Sequence, residues 1–267
     1  MAKHRRDKTN YLIQSVAHAL DVLEEFKGDV PEYGVTELSR KLKLHKNNVF
    51  RLLATLEARG YVEQNKLTEN YRLGIKILEL GQSYIRQTGL VRQARPIMVE
   101  LVGEVDETCC LMVLRGGQAV CVDAVEASQT VRVVAQVGVH LPAHATASGK
   151  VQLAFESDAE IERLVASPLR SFTSRTIIDA EALRKELAKV ARLGYASEDE
   201  EYEDGVRCVS APIRDYTGRV VGALTVSGPA ARLTPERITR EVSAKVVHAA
   251  IEVSGRLGFE IERTGTG

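Results

Sequence analysis

The residues that could do chemistry fall into three groups, and the first lies at positions 46 to 51. Lys46, Asn47, Asn48 and Arg51 stand together there, with Thr55 one turn further on and Ala54 and Ala58 beside it. An Asn amide both donates and accepts, and the Arg guanidinium is a planar fork of donors, so these two types match base edges in a DNA major groove. Lys46 suits a phosphate, and the two alanines allow a helix to approach closely. No acidic residue lies between Glu37 and Glu57, whereas an ordinary solvated face mixes signs. The second group is the stretch HATASGK, residues 144 to 150, which places Ser148, Gly149 and Lys150 at an expected helix start, where free amides and the helix dipole favour an anion. The third is the set of thiols, Cys109, Cys110, Cys121 and Cys208.

Several chemistries are excluded by spacing. A nucleotide P-loop would need glycine at His144 and Ser or Thr at Val151. His140 and His144 are separated by Pro142 and lack a third ligand, so no metal is expected. The cysteines show no C-x-x-C pattern, and reduced core residues are the expectation for them. There is no G-x-S-x-G elbow and no H-E-x-x-H, so neither a catalytic constellation nor a cofactor is expected. The acidic run SEDEEYEDG, 197 to 205, reads as a solvated loop.

The positioning elements follow from periodicity. In LHKNNVFRLLATLEARG, Val49, Leu52, Leu53 and Leu56 form an apolar helical stripe, and Gly60 is a C-terminal glycine signal. Residues 15–26 place Val16, Ala19, Leu20 and Leu23 on one face. Residues 35–44 form a further helix with Thr36 as candidate cap and Leu38 and Leu42 inward. The turn around Leu44 and His45 leaves room only for a helix-turn-helix. Residues 61–74 read as a hairpin around Gln64 to Glu69, a wing whose Lys66 or Arg72 would touch phosphate. A helix over 75–90 carries Ile77, Leu78, Leu80, Tyr84 and Ile85, more apolar residues than an isolated linker needs, and is expected to pair chains into a homo-oligomer.

From 91 onward the pattern changes. A helix over 91–107 tolerates Pro96 only near its start. Two strands flank Gly116-Gly117, a third is expected over 130–138, a helix starts near 145, and another runs over 179–194. Two strands over 206–228 turn at Thr217-Gly218, and a last helix opens at Thr234-Pro235. The expected class is α+β in two domains: an N-terminal winged helix-turn-helix, a linker helix, and a C-terminal antiparallel sheet flanked by helices. The boundaries are a flexible basic arm at 1–10, the DNA-binding domain at 11–74, the linker at 75–90, the second domain at 91–258, and a tail at 259–267.

Charge supports this division. The chain of 267 residues is neutral overall, yet residues 1–90 hold 15 Lys and Arg against 11 Asp and Glu. A basic first third suggests a polyanion partner, double-stranded DNA. With no membrane-length apolar run and no signal-peptide core, a cytoplasmic protein without membrane contact is expected.

The phrases LPAHATASGK, EDEEYEDGVRCVSAPIRD and VVGALTVSGPAARLT, in this order of parts, resemble the IclR family of bacterial transcriptional regulators over about residues 10 to 258. The resemblance implies a GAF-like effector-binding domain in the second half, assembly as a dimer or dimer of dimers, and a small organic or aromatic acid held in the cup of the sheet. Carried over by motif, it points to Thr130, Ala147, Ser148, Glu198, Val206, Cys208, Thr225 and Ser227. Glu198 stands where some members have a shorter acid, and Ala147 where some have glycine. Val206 and Cys208 also fit a plain core. Two other readings stay open at this point. One is a GAF-like small-molecule enzyme using Cys109, Cys110 or Cys208 as a redox thiol, and the other is a basic module that binds protein rather than DNA.

Overall fold

The structure is a computed structural model that describes residues 12–28 and 30–260, so the arm at 1–10 and residues 261–267 of the tail lie outside the described residues. The chain divides into two units, residues 1–87 and 88–267.

In the first unit, α1 (Gln14–Glu24), α2 (Val35–Leu42) and α3 (Lys46–Ala58) surround a core of Val22, Phe26, Leu38, Val49, Leu53 and Leu56. The α1 face differs from expectation. Val22 and Phe26 are buried with Ala19 and Leu23 against them, whereas Val16 and Leu20 are more than half exposed. The apolar residues of α1 are more numerous than one stripe can hold, and the three-helix core takes only part of them. Helix α2 is capped at Gly34, not Thr36, and the Glu37 carboxylate accepts the Gly34 N–H at 3.1 Å. The turn is tight because Lys43 adopts φ 53°, with the Leu44 N–H donating to Ser39 O and the Ser39 hydroxyl donating to Leu44 O.

After α3, β1 (Val62–Gln64) and β2 (Tyr71–Leu73) form the wing. It is tied to the helices by the Tyr33↔Tyr71 bridge and by Glu32, which accepts from Asn65 and Thr68. Gly74 allows the wing to close on the end of α3, since a Cβ there would stand 2.3 Å from Gly60 O. Helix α4 (Ile75–Thr88) leaves Ile75, Leu78 and Leu80 exposed.

The second unit is a six-stranded antiparallel sheet in the order β5-β4-β3-β8-β7-β6. Its strands are β3 (Thr108–Arg115), β4 (Gln118–Val125), β5 (His140–Pro142), β6 (Ala196–Asp199), β7 (Val206–Arg214) and β8 (Val220–Pro229). The β3–β4 turn places both Gly116 and Gly117 at positive φ, as a two-residue hairpin turn requires. Alternation puts Cys109, Leu111, Val209, Leu224 and Val226 on one face, packed by α5 (Leu90–Val105) and the C-terminal helix. Cys110, Met112, Cys208, Thr225 and Ser227 lie on the other, beneath α6 (Ala147–Leu153). Helices α7 (Asp158–Val165) and α8 (Ala180–Leu193) complete that layer. Asp179 caps α8, and Gly194 ends it at φ 74°.

The C-terminal helix opens on Thr234 and Pro235 as α9 (Pro235–Arg237), passes through a π-helical stretch, Ile238–Val242, and continues as α10 (Ser243–Arg256). At its start Arg232 grips the fully buried Glu107 through two bonds of 2.8 and 2.7 Å, and Arg237 adds a third.

Three sequence expectations are corrected. Pro96 sits in the second turn of α5, not at its start, and the helix continues through it. The stretch 130–138 is not a strand, although Val131, Val133 and the residues after it alternate. No neighbouring strand receives it. Its backbone is held instead by the Thr108 hydroxyl donating to Val133 O and by Gly138 N–H donating to Cys121 O. The acidic run is not a solvated loop throughout, because its first residues form β6 and Glu198 and Glu201 are buried.

Candidate functional site

Helix α3 presents its polar face without compensation. Lys46, Asn47, Asn48, Arg51 and Thr55 are all exposed, while Val49, Leu53 and Leu56 bury the opposite side. The N-terminal turn is fixed by His45, whose Nδ1 accepts the Asn47 N–H at 3.3 Å. Thr55 donates to Arg51 O at 2.8 Å, so its hydroxyl oxygen remains available only as an acceptor. Among the described residues, Lys46, Arg51 and Lys66 take part in no ion pair, whereas Arg72 is held by Glu63 at 2.6 Å on the neighbouring wing strand. An exposed run of amides and unpaired cations on the second helix of a tight helix-turn-helix can enter a major groove, and Lys66 on the wing tip can meet a phosphate.

The second unit encloses a cavity of about 270 Å³. Ala147, Ser148, Glu198, Val206, Cys208, Thr225 and Ser227 all line it. Thr130 does not: it is exposed on the segment before the wall begins at Val133. Strand alternation explains the sheet floor, and the first turn of α6 supplies Ala147 and Ser148 from above. That turn is anchored by the Thr146 hydroxyl, which accepts from Gly149 N–H at 3.3 Å and donates to Pro142 O. Gly149 is forced by proximity, since a Cβ would fall 2.2 Å from the Ala143 backbone. Sequence reasoning missed Met112, Val133, Val134, Gln136 and Tyr202 as lining. Met112 could have been found from its alternation with Cys110. The coil residues carry no such signal.

Lys150 is another departure. It does not serve an anion at the helix start but is buried and bonded to Glu201 at 2.6 Å. The lining contains no Lys, Arg or His and includes two carboxyl groups, Glu198 and Glu203. Glu198 accepts the Tyr202 N–H at 3.1 Å. Burial, its largest influence, raises its pKa from 4.5 to about 7, against the lowering effects of Tyr202, Cys208 and Lys150. Burial and the facing Glu198 likewise hold the Cys208 thiol well above its ordinary value, and burial does the same for Cys109. Those two thiols are poorly suited to nucleophilic chemistry.

His144 is buried and its Nε2 bonds Arg170 O at 2.9 Å, while His140 is exposed beside Gln118. Among the described residues no cluster of three or more His, Cys, Asp or Glu could hold a metal ion. Among them, too, no helix is long and apolar enough to cross a membrane.

A winged helix-turn-helix with an uncompensated reading face, in one chain with a sheet that encloses a ligand-sized chamber, defines a two-unit DNA-binding regulator. Residues 15–66 match the IclR helix-turn-helix domain, and residues 82–255 match the family described as bacterial transcriptional regulator IclR C-terminal. The chain belongs to the IclR family of bacterial transcriptional regulators.

It is 32% identical to the HTH-type transcriptional regulator XynR of Escherichia coli K12, over 93% of this chain and 98% of that one. It is 33% identical to KdgR of the same organism, over 97% and 98%. Among solved structures, Thermotoga maritima IclR superposes with a TM-score of 0.75 at 30% identity, covering 93% of this chain and 100% of that one. An IclR homolog from Microbacterium hydrocarbonoxydans, complexed with 4-hydroxybenzoate, superposes at 0.82 with 26% identity, covering 91% and 98%.

Proposed function

We propose that this chain is a sequence-specific regulator whose hold on its operator is set by a small organic or aromatic acid bound in the second unit, and that it acts by binding, without catalysis. The observation that carries the reading is the exposed polar face of α3, with its unpaired Arg51 and Lys46, following a three-residue turn. Asn47, Asn48, Arg51 and Thr55 read base edges, and Lys46, Lys66 and Arg72 neutralise phosphates.

The effector enters the chamber floored by Cys208, Thr225 and Ser227. Its ring or chain lies against Val206 and Met112, and its acid group meets Ser148, the α6 backbone amides and Glu198. A volume of about 270 Å³ suits an acid of benzoate size, which accords with the 4-hydroxybenzoate held by the homolog. A neutral Glu198 can donate to a carboxylate, so acid affinity should rise as pH falls through about 7. For the acid to alter DNA binding, it must prefer one arrangement of the assembled protein.

The assembly is a homo-oligomer, a dimer or dimer of dimers. Its support is the apolar surface left open on the first unit: Leu12, Ile13, Val16 and Leu20 around α1, and Ile75, Leu78 and Leu80 on α4, are all half or more exposed.

The test is capture of genomic DNA by the purified protein at several salt concentrations, beginning with its own promoter region. A discrete palindromic site and a steep fall of affinity with salt are expected. Diffuse or absent binding would overturn the reading. Once a site is in hand, release of it by a panel of small acids, 4-hydroxybenzoate among them, tests the effector half separately.

A further inference from the structure

The tip of the wing exposes an apolar side chain on an unusually well-held turn. Leu67 is 95% exposed, more than any other large apolar side chain among the described residues. A lone leucine on a surface is ordinary; what sets this one apart is the backbone beneath it. The Asn65 side-chain oxygen accepts the Leu67 N–H at 3.0 Å. Asn65 also donates its own N–H to Asn70 O and accepts from the Glu69 N–H, both at 2.8 Å. The Gln64 amide donates to Glu69 O at 2.9 Å, and the Thr68 hydroxyl oxygen accepts the Asn70 N–H at 3.3 Å. From outside the hairpin, Glu32 receives Asn65 Nδ2 and the Thr68 hydroxyl, each at 2.9 Å. The side chains around the tip are tied down, while Leu67 is lifted clear into solvent.

The wing is fixed to the reading helix as well. The Tyr61 N–H donates to Leu56 O at 2.9 Å, and the Glu57 carboxylate accepts the Gln64 N–H at 3.3 Å. A hairpin joined this firmly to a helix in the major groove is carried along the duplex with it, beside the adjoining minor groove. Charge is not what the tip brings there. Over residues 65–69 the charges of Lys66 and Glu69 cancel. Glu32 is engaged by neutral donors, and Glu63 is paired with Arg72 at 2.6 Å. What remains is a preorganised apolar side chain next to one cation, the equipment with which proteins open a minor-groove base step.

We propose that Leu67 is a minor-groove wedge: it enters between two base pairs beside the major-groove site, partly unstacks them and kinks the operator, while Lys66 holds the flanking phosphate. Resting on the regulator reading above, the wedge adds a second source of sequence choice. It makes no hydrogen bond to a base, so it responds to how easily a step opens, and TA and CA steps open most easily. Operators should therefore carry such a step at a fixed distance from the bases read by Asn47, Asn48 and Arg51, although no polar side chain contacts it. In a two-fold operator the step recurs on both sides.

The test uses the full-length protein and its captured operator, with 2-aminopurine replacing adenine at one position at a time outside the major-groove site. Wild type should raise the fluorescence of the probe at one step on each side, the signature of unstacking. Leu67→Ser should abolish that rise, and Leu67→Met, another apolar wedge, should keep it. Leu67→Ser should also weaken operator binding by up to about tenfold, because the burial lost is offset by the unstacking avoided. The same variant should no longer distinguish TA or CA from a stiff AA step at that place. Lys66→Gln should retain the fluorescence change while making the salt dependence shallower. Leu67 is exposed, so each variant should keep the wild-type melting midpoint. Operator binding by wild type with no rise at any step, or with a rise that Leu67→Ser reproduces, would overturn the wedge and leave the regulator reading in place. Failure to capture any operator would overturn that reading, and the wedge with it.

Discussion

Glu198→Gln isolates the energetic consequence of a carboxyl group in the chamber. Burial raises its pKa from 4.5 to about 7. Between those values the folded chain holds a proton that the unfolded chain releases. Stability from this group is therefore full below about pH 4.5, declines as pH rises through about 7, and is flat above it. A rise of that size corresponds to about 3 kcal/mol lost across the window, at about 1.36 kcal/mol for each pKa unit. Glutamine keeps the shape and has no charge to desolvate. Glu198→Gln should therefore be about 3 kcal/mol more stable relative to wild type at pH 8 than at pH 4.5, or roughly 6–12 °C in the melting midpoint of a domain this size. The assay is a series of calorimetric melts of both proteins from pH 4.5 to 8. A gap between them that does not change with pH would refute the reasoning, because it would mean that Glu198 ionises in the folded chain as freely as in the unfolded one.

Lys150→Met should destabilise by roughly 3–5 kcal/mol, because it leaves Glu201 without its buried partner, and adding Glu201→Gln should restore part of the loss in thermal melts. Gly149→Ala should cost at least about 1–3 kcal/mol, since its Cβ would meet backbone rather than a movable side chain, and an unchanged melting midpoint would contradict the packing of α6. Arg51→Ala should weaken operator binding about 10- to 100-fold, by the usual worth of a bidentate base contact, while reducing non-specific binding far less in mobility shifts. Equal losses would remove Arg51 from base reading. Ser148→Trp should fill the chamber, leaving operator affinity intact and abolishing release by the acid, and an unchanged response would place the effector elsewhere.

The first unit was largely legible because its signals are local. A helix-period stripe, a glycine at positive φ and a turn of three residues fix α2, α3 and the wing without help from distant chain. The same logic misjudged α1, where periodicity marks apolar residues but not which of them find a partner, and Val16 and Leu20 remain outside. Residues 130–138 failed for a related reason: alternation describes a strand only if a neighbouring strand offers its hydrogen bonds, and here Val133, Val134 and Ala135 line a cavity while Val131 and Val137 stay exposed.

Most of the chamber residues were reached only through resemblance, because Ser148 on α6, Glu198 on β6 and Thr225 on β8 converge from elements far apart in sequence. Lys150 shows the limit most plainly. At a helix start a lysine suggests an anion site, and only the fold reveals that its partner is Glu201, 51 residues away.

The order of the sheet has a further consequence for how copies of this chain can associate. The long strands β3, β7 and β8 lie inside, and the margins are β5 and β6, of three and four residues. β5 ends on a proline, and β6 carries Glu198 and Asp199. Such margins offer few free backbone groups and no length over which another strand could zip, the arrangement by which sheets avoid growing into one another. Any association of copies is thereby left to helical and side-chain surfaces, whose strength can be tuned one residue at a time, and does not run through continuous β-structure.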